Sequence, residues 1–458
     1  MQTNNPRLFG TNGVRGVFGK ELTLDLVVDL SYSLAAFFGK GPIIIGYDGR
    51  NSSPTLSKIV CSVINSAGID VGNAGLLPTP CLQYAAKRLG YNGGIMITAS
   101  HNPPEYNGVK PIANDGVEIS REDEFKVEEI YYNKKISKID SFGRDFADET
   151  VIDSYIERVL SLIDIEKIRQ RKFTVAMDIG NGAQARVAPF LLKKLGCKVI
   201  TINGNIDGDF PGRGSEPTPE NLKMLSNMVK DLEADFGVAY DGDGDRSLFC
   251  DERGAVYWGD IVGAALVRYL LTKHRGAEVV CPINTTMALS LVAKQAGSKV
   301  IHTKVGSVEV SREMLMRKSL IGLEENGGFM YGKLNEVRDG AMTTALVLEM
   351  LSSSNEEHKL SQIISSLPKI FQYKTKFRCP TREIANNIVD MCLEHGSPRK
   401  IETLDGAKIW IDDETWIMVR PSGTEPFIRM YAESVDSSLL NSKVEEYRRL
   451  IESKISIS

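Results

Sequence analysis

Nothing in this sequence is spaced to hold a soft metal. Its seven cysteines (Cys61, Cys81, Cys197, Cys250, Cys281, Cys379 and Cys392) are odd in number and never form a C-x-x-C pair, and its five histidines contain no H-x-x-x-H pair. Neither a disulfide framework nor a histidine-rich zinc site is therefore expected. The cysteines read as reduced core residues, and a bound metal should take oxygen ligands. No apolar run reaches the roughly 20 residues of a membrane span, and residues 1–16 lack the charged-then-apolar pattern of a signal peptide. A soluble cytoplasmic protein is the expectation. Positive charge is not in excess either: 55 Lys and Arg stand against 59 Asp and Glu, a net charge of −4. That excludes a broad attraction to nucleic acid or to a membrane surface and confines any basic site to a local cluster.

What is present is the composition of an ordinary globular chain, 42% hydrophobic and 25% charged over 458 residues. That length exceeds what one core usually organises, so three or four compact units are expected. Helical and strand-like patterns alternate from Leu24 to Thr98, with helices closed near Gly39 and Gly68 and strands in PIIIGY and GGIMIT. The alternation restarts at FTVAMDIG, with a helix ending at Gly196 and strands in CKVITI and ADFGVAY. It restarts again at GAEVVCPIN, with a helix ending at Gly297 and strands in SKVIHT and SLIGLEE. These three runs of similar layout predict three related α/β domains with mixed sheets, at 1–150, 151–253 and 254–370. Beyond them, at 371–458, strands dominate (KIWIDD, TWIMVR, FIRMYAE) between helices at Arg382–His395 and Ser437–Ile455, which predicts a small α+β domain.

Four segments carry chemistry. The first, T-A-S-H-N-P-P-E-Y-N-G-V-K at 98–110, leaves a strand and reads as a turn-rich loop presenting Ser100 at a sheet end, where open α/β sheets place ligands. Its hydroxyl is a candidate nucleophile or phosphate carrier. A serine-hydrolase reading is disfavoured, because there is no G-x-S-x-G elbow and, in an extended chain, Ser100 and His101 would point apart. In the second segment, D-G-D-G-D-R at 241–246, Asp241, Asp243 and Asp245 would sit about 6.6 Å apart on a straight strand. Oxygens sharing one magnesium lie within about 4 Å of one another, so the segment must curl, which Gly242 and Gly244 permit. A calcium EF-hand loop fails because Arg246 stands where a glycine turn is required. The third segment, L-E-E-N-G-G at 323–328, has carboxylate and amide side chains that can bond vicinal sugar hydroxyls and glycines that let a ligand approach, but taken alone it reads more commonly as an ordinary polar turn. The fourth, R-P-S-G-T-E-P at 420–426 with Arg429 beyond it, offers a guanidinium, hydroxyls and a flexible backbone to a dianion.

In this order, and with G-T-N-G-V-R-G at residues 10–16, the motifs resemble those of the α-D-phosphohexomutases. The resemblance spans essentially the whole chain. It implies four domains around a central cleft, the last similar to the TATA-binding-protein fold. It also implies reversible phosphoryl transfer between C1 and C6 of hexose or hexosamine phosphates. Ser100 would carry the phosphoryl group and, with Asp241, Asp243 and Asp245, bind Mg²⁺. Lys110 would be the general acid/base, with Arg15, His101 and Arg246 nearby. Glu324 and Asn326 would read the sugar, and Arg420, Ser422, Gly423, Thr424 and Arg429 would hold the phosphate that is not reacting. A hexose 1,6-bisphosphate is the implied activator, a sugar phosphate the partner, and a homodimer a candidate assembly. Where some hexose-specific members carry a histidine, this chain has Lys304-Val-Gly-Ser307, and Asn326 replaces the usual serine. A metal-dependent sugar phosphatase is the alternative reading. Because a phosphorylated serine and three aspartates outweigh one divalent cation, Arg246, Lys110 and Arg15 are also expected on electrostatic grounds.

Overall fold

The computed structural model describes residues 6–10, 12–134, 141–353, 359–422 and 426–456. The described residues form four sheets in sequence order, one of six strands and three of five. In the first three sheets one wiring recurs. A central strand is flanked by two parallel neighbours, and the second of these turns back into an antiparallel strand.

In the first sheet the central strand is Ile43–Tyr47, with Val71–Leu76 and Gly93–Ile97 parallel to it and Tyr106–Ala113 returning. In the second it is Thr174–Asp178, with Lys198–Ile202 and Phe236–Tyr240 beside it and Ser247–Asp251 returning. In the third it is Val279–Pro282, with Val300–Thr303 and Ile321–Leu323 beside it and Phe329–Tyr331 returning. The central strands are buried apolar runs, as two-sided parallel strands must be. Helices cover the faces; Leu24–Phe38, for instance, starts where the Thr23 hydroxyl caps Leu26 N and stops at Gly39 (φ 69°).

The fourth sheet is wholly antiparallel, in the spatial order Phe371–Arg378, Phe427–Ser434, Thr415–Pro421, Ala407–Trp410, Lys400–Glu402. Its two faces follow the period-2 alternation of the strand W-I-M-V. Ile417 and Val419 pack with Ile388 and Cys392 of helix Arg382–Glu394 and with Leu440, Val444 and Tyr447 of helix Ser437–Ser456. Trp416 and Met418, on the other face, meet Ile283 and Met287 of the third domain.

The first three domains share one continuous buried core, from Leu82 and Tyr155 through Val175 and Phe236 to Leu266 and Leu346. Helix Gly340–Ser353 is buried over nearly its whole length, with Glu349 paired to Lys273 at 2.8 Å. The last domain has its own core and meets the third through a smaller apolar cluster.

One local expectation is corrected. Residues 98–110 are not loop throughout: Tyr106–Ala113 is a strand, with Met96 opposite Lys110. Five of its eight residues are polar, small or proline, and the pattern that signals a strand is lost because this strand faces the site.

Candidate active site

Three of the four motifs occupy the same place in three copies of the fold. Residues 98–105, 241–246 and 324–328 each connect the last parallel strand to its antiparallel return. Strand ends of this kind leave backbone and side chains free of the sheet ladder, and here they converge.

Ser100 is fully buried and has φ 53°, a left-handed conformation unusual for a residue with a side chain. Its amide donates to Thr98 Oγ1 (2.7 Å), and its carbonyl accepts from Arg50 (2.9 Å). Arg50 also donates to the carbonyls of Asn102, Pro103 and Tyr106 and pairs with buried Asp48 at 3.1 Å. Asp48 in turn accepts from Thr98 and Ser53. From the second domain, Ser215 Oγ donates to the carbonyls of His101 and Asn102. The loop is therefore held by its own carbonyl groups. The left-handed turn overturns the expectation that Ser100 and His101 point apart, since His101 Nδ1 lies 3.3 Å from Ser100 Oγ.

The Ser100 hydroxyl donates to Asp241 Oδ2 at 3.1 Å. One oxygen from each of Asp241, Asp243 and Asp245 lies within 4.8 Å of the others, so the predicted curl is present. Gly244 makes it with φ 76°, and Gly242 permits the approach to Ser100: a Cβ there would lie 2.7 Å from the Ser100 carbonyl oxygen. All three carboxylates are buried, and Asp243 Oδ1 and Asp245 Oδ1 have no hydrogen-bond partner. Buried, unpartnered carboxylate oxygens carry a large desolvation cost, and an all-oxygen set of this size fits a hard divalent cation.

Positive charge surrounds this cluster. Lys110 Nζ lies 3.3 Å from Asp243 Oδ2, 3.8 Å from Asp245 Oδ2 and 3.9 Å from Glu118 Oε1. Arg246 donates its amide to Asp241 (3.0 Å) and its guanidinium to Glu216 (3.1 Å), with Nε 3.9 Å from Asp245. Arg15 donates to the Ala99 carbonyl and to Asn102 Oδ1. Arg338 bridges Asp245 and Glu324, the second at 3.2 Å.

These neighbours divide the protonation states. Burial, then Asp245 and Asp243, push the Asp241 carboxyl well above the usual carboxylate range. Burial would also raise Asp243, but Lys110, the Thr79 hydroxyl, Arg338 and Arg15 outweigh it and hold that carboxyl down. Burial depresses His101 far below an ordinary imidazole, with Arg246, Arg15 and Arg338 adding to the effect, so the ring is neutral. Burial lowers Arg15 to about 10, against the pull of Asp243.

Ser100, His101, Lys110, Arg15, Arg246 and the three aspartates thus stand together, and Glu324 joins them through Arg338. Asn326 is half-buried on the same loop as Glu324, its Oδ1 accepting from Gly328 N. Arg420 pairs with Asp405 at 3.1 Å and stands opposite Arg429 in register, while Ser422 is buried beside them. Gly423 and Thr424 lie outside the described residues. The sequence reading missed Arg338, Thr79, Glu118 and the Asp48–Arg50 pair. D-G-R and R-D-G at strand ends were the available signals, since a charged residue there reaches whatever the strand end faces.

Sequence models of the phosphoglucomutase/phosphomannomutase α/β/α domains I, II and III match residues 6–137, 153–254 and 258–371, and the model of the C-terminal domain matches 378–450. Over 456 residues the chain is 41% identical to a phosphoglucosamine/phosphogalactosamine mutase of Sulfurisphaera tokodaii, covering 98% of this chain and all of that one. It is 39% identical to a phosphoglucomutase/phosphomannomutase of Thermococcus kodakarensis, over 97% of each. Its fold matches that of a phosphoglucomutase/phosphomannomutase family protein from Burkholderia thailandensis at a TM-score of 0.87 and 24% identity, covering 98% of this chain and 97% of that one.

Proposed function

The chain is a member of the α-D-phosphohexomutase family and a hexose-phosphate mutase, and from that premise we propose that its phosphoryl group travels on Ser100. The observation that supports this route is the meeting of the Ser100 hydroxyl with Asp241 at 3.1 Å inside a buried cluster of three carboxylates and four cations. Phosphoryl transfer asks for in-line positioning and charge stabilisation more than for covalent chemistry by the protein. This cluster is arranged for both.

In the phosphorylated enzyme the bond from phosphorus to Ser100 Oγ breaks as one forms to the free hydroxyl of the sugar. The sugar hydroxyl loses its proton and Ser100 Oγ regains one, a transfer assigned to Lys110. Neutral His101, 3.3 Å from Ser100 Oγ, holds that oxygen in place. The resulting 1,6-bisphosphosugar turns over in the site, its other phosphate returns to Ser100, and the isomer leaves. Asp241, Asp243, Asp245 and Ser100 are assigned as ligands of a magnesium ion, which when bound neutralises charge on the phosphoryl oxygens. Arg15, Arg246 and Arg338 compensate the negative charge that one cation leaves.

Glu324 and Asn326 are assigned to the sugar hydroxyls. Arg420, Ser422, Gly423, Thr424 and Arg429 are assigned to the phosphate that is not reacting. Hexose 1,6-bisphosphate acts as activator by phosphorylating Ser100. The relatives' names divide between amino sugars and neutral hexoses, so both classes belong in the assay. Among the described residues no helix is long and apolar enough to cross a membrane, and a cytoplasmic site of action is assigned.

The test is conversion of glucose-, mannose- and glucosamine-phosphates by wild type and Ser100→Ala, with Mg²⁺ and a trace of hexose 1,6-bisphosphate. Isomer and free phosphate are both followed. Isomer from wild type and almost none from Ser100→Ala is expected; full activity in Ser100→Ala would sink the phosphoserine route. Free phosphate without isomer would favour the phosphatase alternative.

A further inference from the structure

Lys374 is a cation of the last domain held by three groups of the third. It lies on strand Phe371–Arg378, and its Nζ is 3.0 Å from Glu325 Oε2, 3.7 Å from Asp260 Oδ1 and 4.7 Å from the centre of the Trp258 ring. The side chains of Lys374 and Glu325 are only 15% and 13% exposed, so solvent screens the pair weakly. Burial opposes the charge on Lys374, but Asp260 and Glu325 outweigh it and hold the ammonium above its usual range. Burial likewise opposes the charge on Glu325, but Lys374 and then Arg429 hold its carboxyl below the usual range.

The position of Glu325 gives this pair its meaning. Its neighbours Glu324 and Asn326 are assigned to the sugar. Glu324 turns toward Arg338 and, through it, Asp245. Glu325 turns the other way, with Oε1 accepting from Asn284 and Oε2 from Lys374. Arg429, assigned to the distal phosphate, is on the strand paired with that of Lys374. The loop is braced from behind: a Cβ on Gly259 would lie 2.1 Å from Gly327 N, so the start of helix Gly259–Lys273 sits directly against it.

We propose that Glu325 is a positioning residue that ties the sugar-reading loop to the phosphate-binding domain through Lys374. A sugar seated on Glu324 and Asn326 and a last domain drawn over its phosphate then stabilise one another, which is a coupling free energy between two parts of one site. The proposal rests on the mutase reading. The consequence falls on the bisphosphosugar, which has to be retained while it turns over.

Glu325→Gln, Lys374→Met and the double variant of the full chain test this. Each single change is expected to raise both the KM for sugar 1-phosphate and the fraction of turnovers that release 1,6-bisphosphate, by roughly tenfold. The double variant is expected to be no worse than either single one. Transfer from radiolabelled phospho-Ser100 to saturating sugar phosphate should be much less affected, a split that general loss of structure would not produce. Additive effects, or unchanged bisphosphate release, would overturn the coupling. If a variant does not fold, Glu325→Asp, which keeps the charge one methylene short, is expected to release an intermediate fraction; release equal to wild type overturns the proposal. Wild type that forms no isomer from any sugar phosphate would defeat the mutase reading instead, whatever the variants do.

Discussion

The Arg50 guanidinium donates to the carbonyl oxygen of Ser100 at 2.9 Å, from a side chain that is itself completely buried. Its other bonds run to the carbonyls of Asn102 and Pro103 in the same loop, to that of Tyr106 where the returning strand begins, and to Asp48, so one side chain fixes the backbone that presents the Ser100 hydroxyl.

Arg50→Ala leaves Asp48 buried without its cation and takes the guanidinium from four carbonyls, of which Asn102 keeps the Ser215 hydroxyl and Pro103 keeps the Tyr106 amide. Breaking a buried pair from one side costs about 3–5 kcal/mol. A lower denaturant midpoint for the first unfolding step is expected, together with a fall in kcat. An unchanged midpoint would show that water replaces the guanidinium.

Gly242→Ala places a methyl group 2.7 Å from the Ser100 carbonyl oxygen, a backbone atom that cannot swing aside. Overpacking of this kind costs about 1–3 kcal/mol. The change should lower kcat well beyond its effect on thermal stability, because the displaced atoms belong to the reacting loop. Kinetics and a melting curve on one sample decide it.

Asp241→Asn removes one of three clustered carboxylates. With it the thermal midpoint of the chain should no longer rise on addition of Mg²⁺, whereas wild type should gain stability as the ion binds the folded state alone. Chelation of divalent ions should abolish wild-type turnover. A Mg²⁺-dependent rise that survives in Asp241→Asn would move the ion elsewhere.

Lys408 supplies a pH signature at the junction of the last two domains. Its Nζ donates to the Ile283 carbonyl (2.7 Å) and lies 4.0 Å from the centre of the Trp416 ring. Burial lowers its pKa to about 8 from 10.5, against the opposing pull of Glu433 and Glu402. A depressed folded-state pKa means that this lysine binds more protons in the unfolded chain between those two values, so the contribution of Lys408 to stability rises with pH across that window. Buried thiols such as Cys281, pushed up to about 12, act the other way at its alkaline end. The Lys408 contribution, on the order of 3 kcal/mol in total, should be read as the difference between wild-type and Lys408→Met unfolding curves from pH 7.5 to 10.5; a difference that does not change with pH would refute it.

Asn326→Ala should change sugar choice more than rate. The ratio of kcat/KM between glucosamine- and glucose-phosphate is expected to shift roughly tenfold, the worth of one hydrogen bond to a sugar hydroxyl. Phosphorylation of Ser100 by 1,6-bisphosphate should be much less affected. Equal losses on every sugar would assign Asn326 to loop structure.

Much of this was legible in the chain. The alternation from Leu24 onward marked the strands Ile43–Tyr47, Phe236–Tyr240 and Val279–Pro282, because a strand buried on both faces must be apolar throughout. The D-G-D-G-D-R segment announced its own curl, since its charges and glycines are local in sequence. Strand Tyr106–Ala113 was harder to see: it carries Asn107, Gly108 and Lys110 among its apolar residues, and only pairing with Gly93–Ile97 and Val14–Val17 shows it.

The sequence by itself determined the four-part layout, the three α/β repeats and the four motifs, because hydrophobic periodicity and turn chemistry act over a few residues. The tertiary structure alone decided which charges meet. Arg338 reaches Asp245 across 93 positions, Thr79 reaches Asp243 across 164, and Lys374 reaches Glu325 across 49. It also decided that Ser100 adopts a left-handed turn that swings His101 toward its hydroxyl. Contacts of this kind depend on how the first three sheets dock through a shared core and how the fourth meets the third domain, and an ion pair leaves no periodic trace in the chain that forms it.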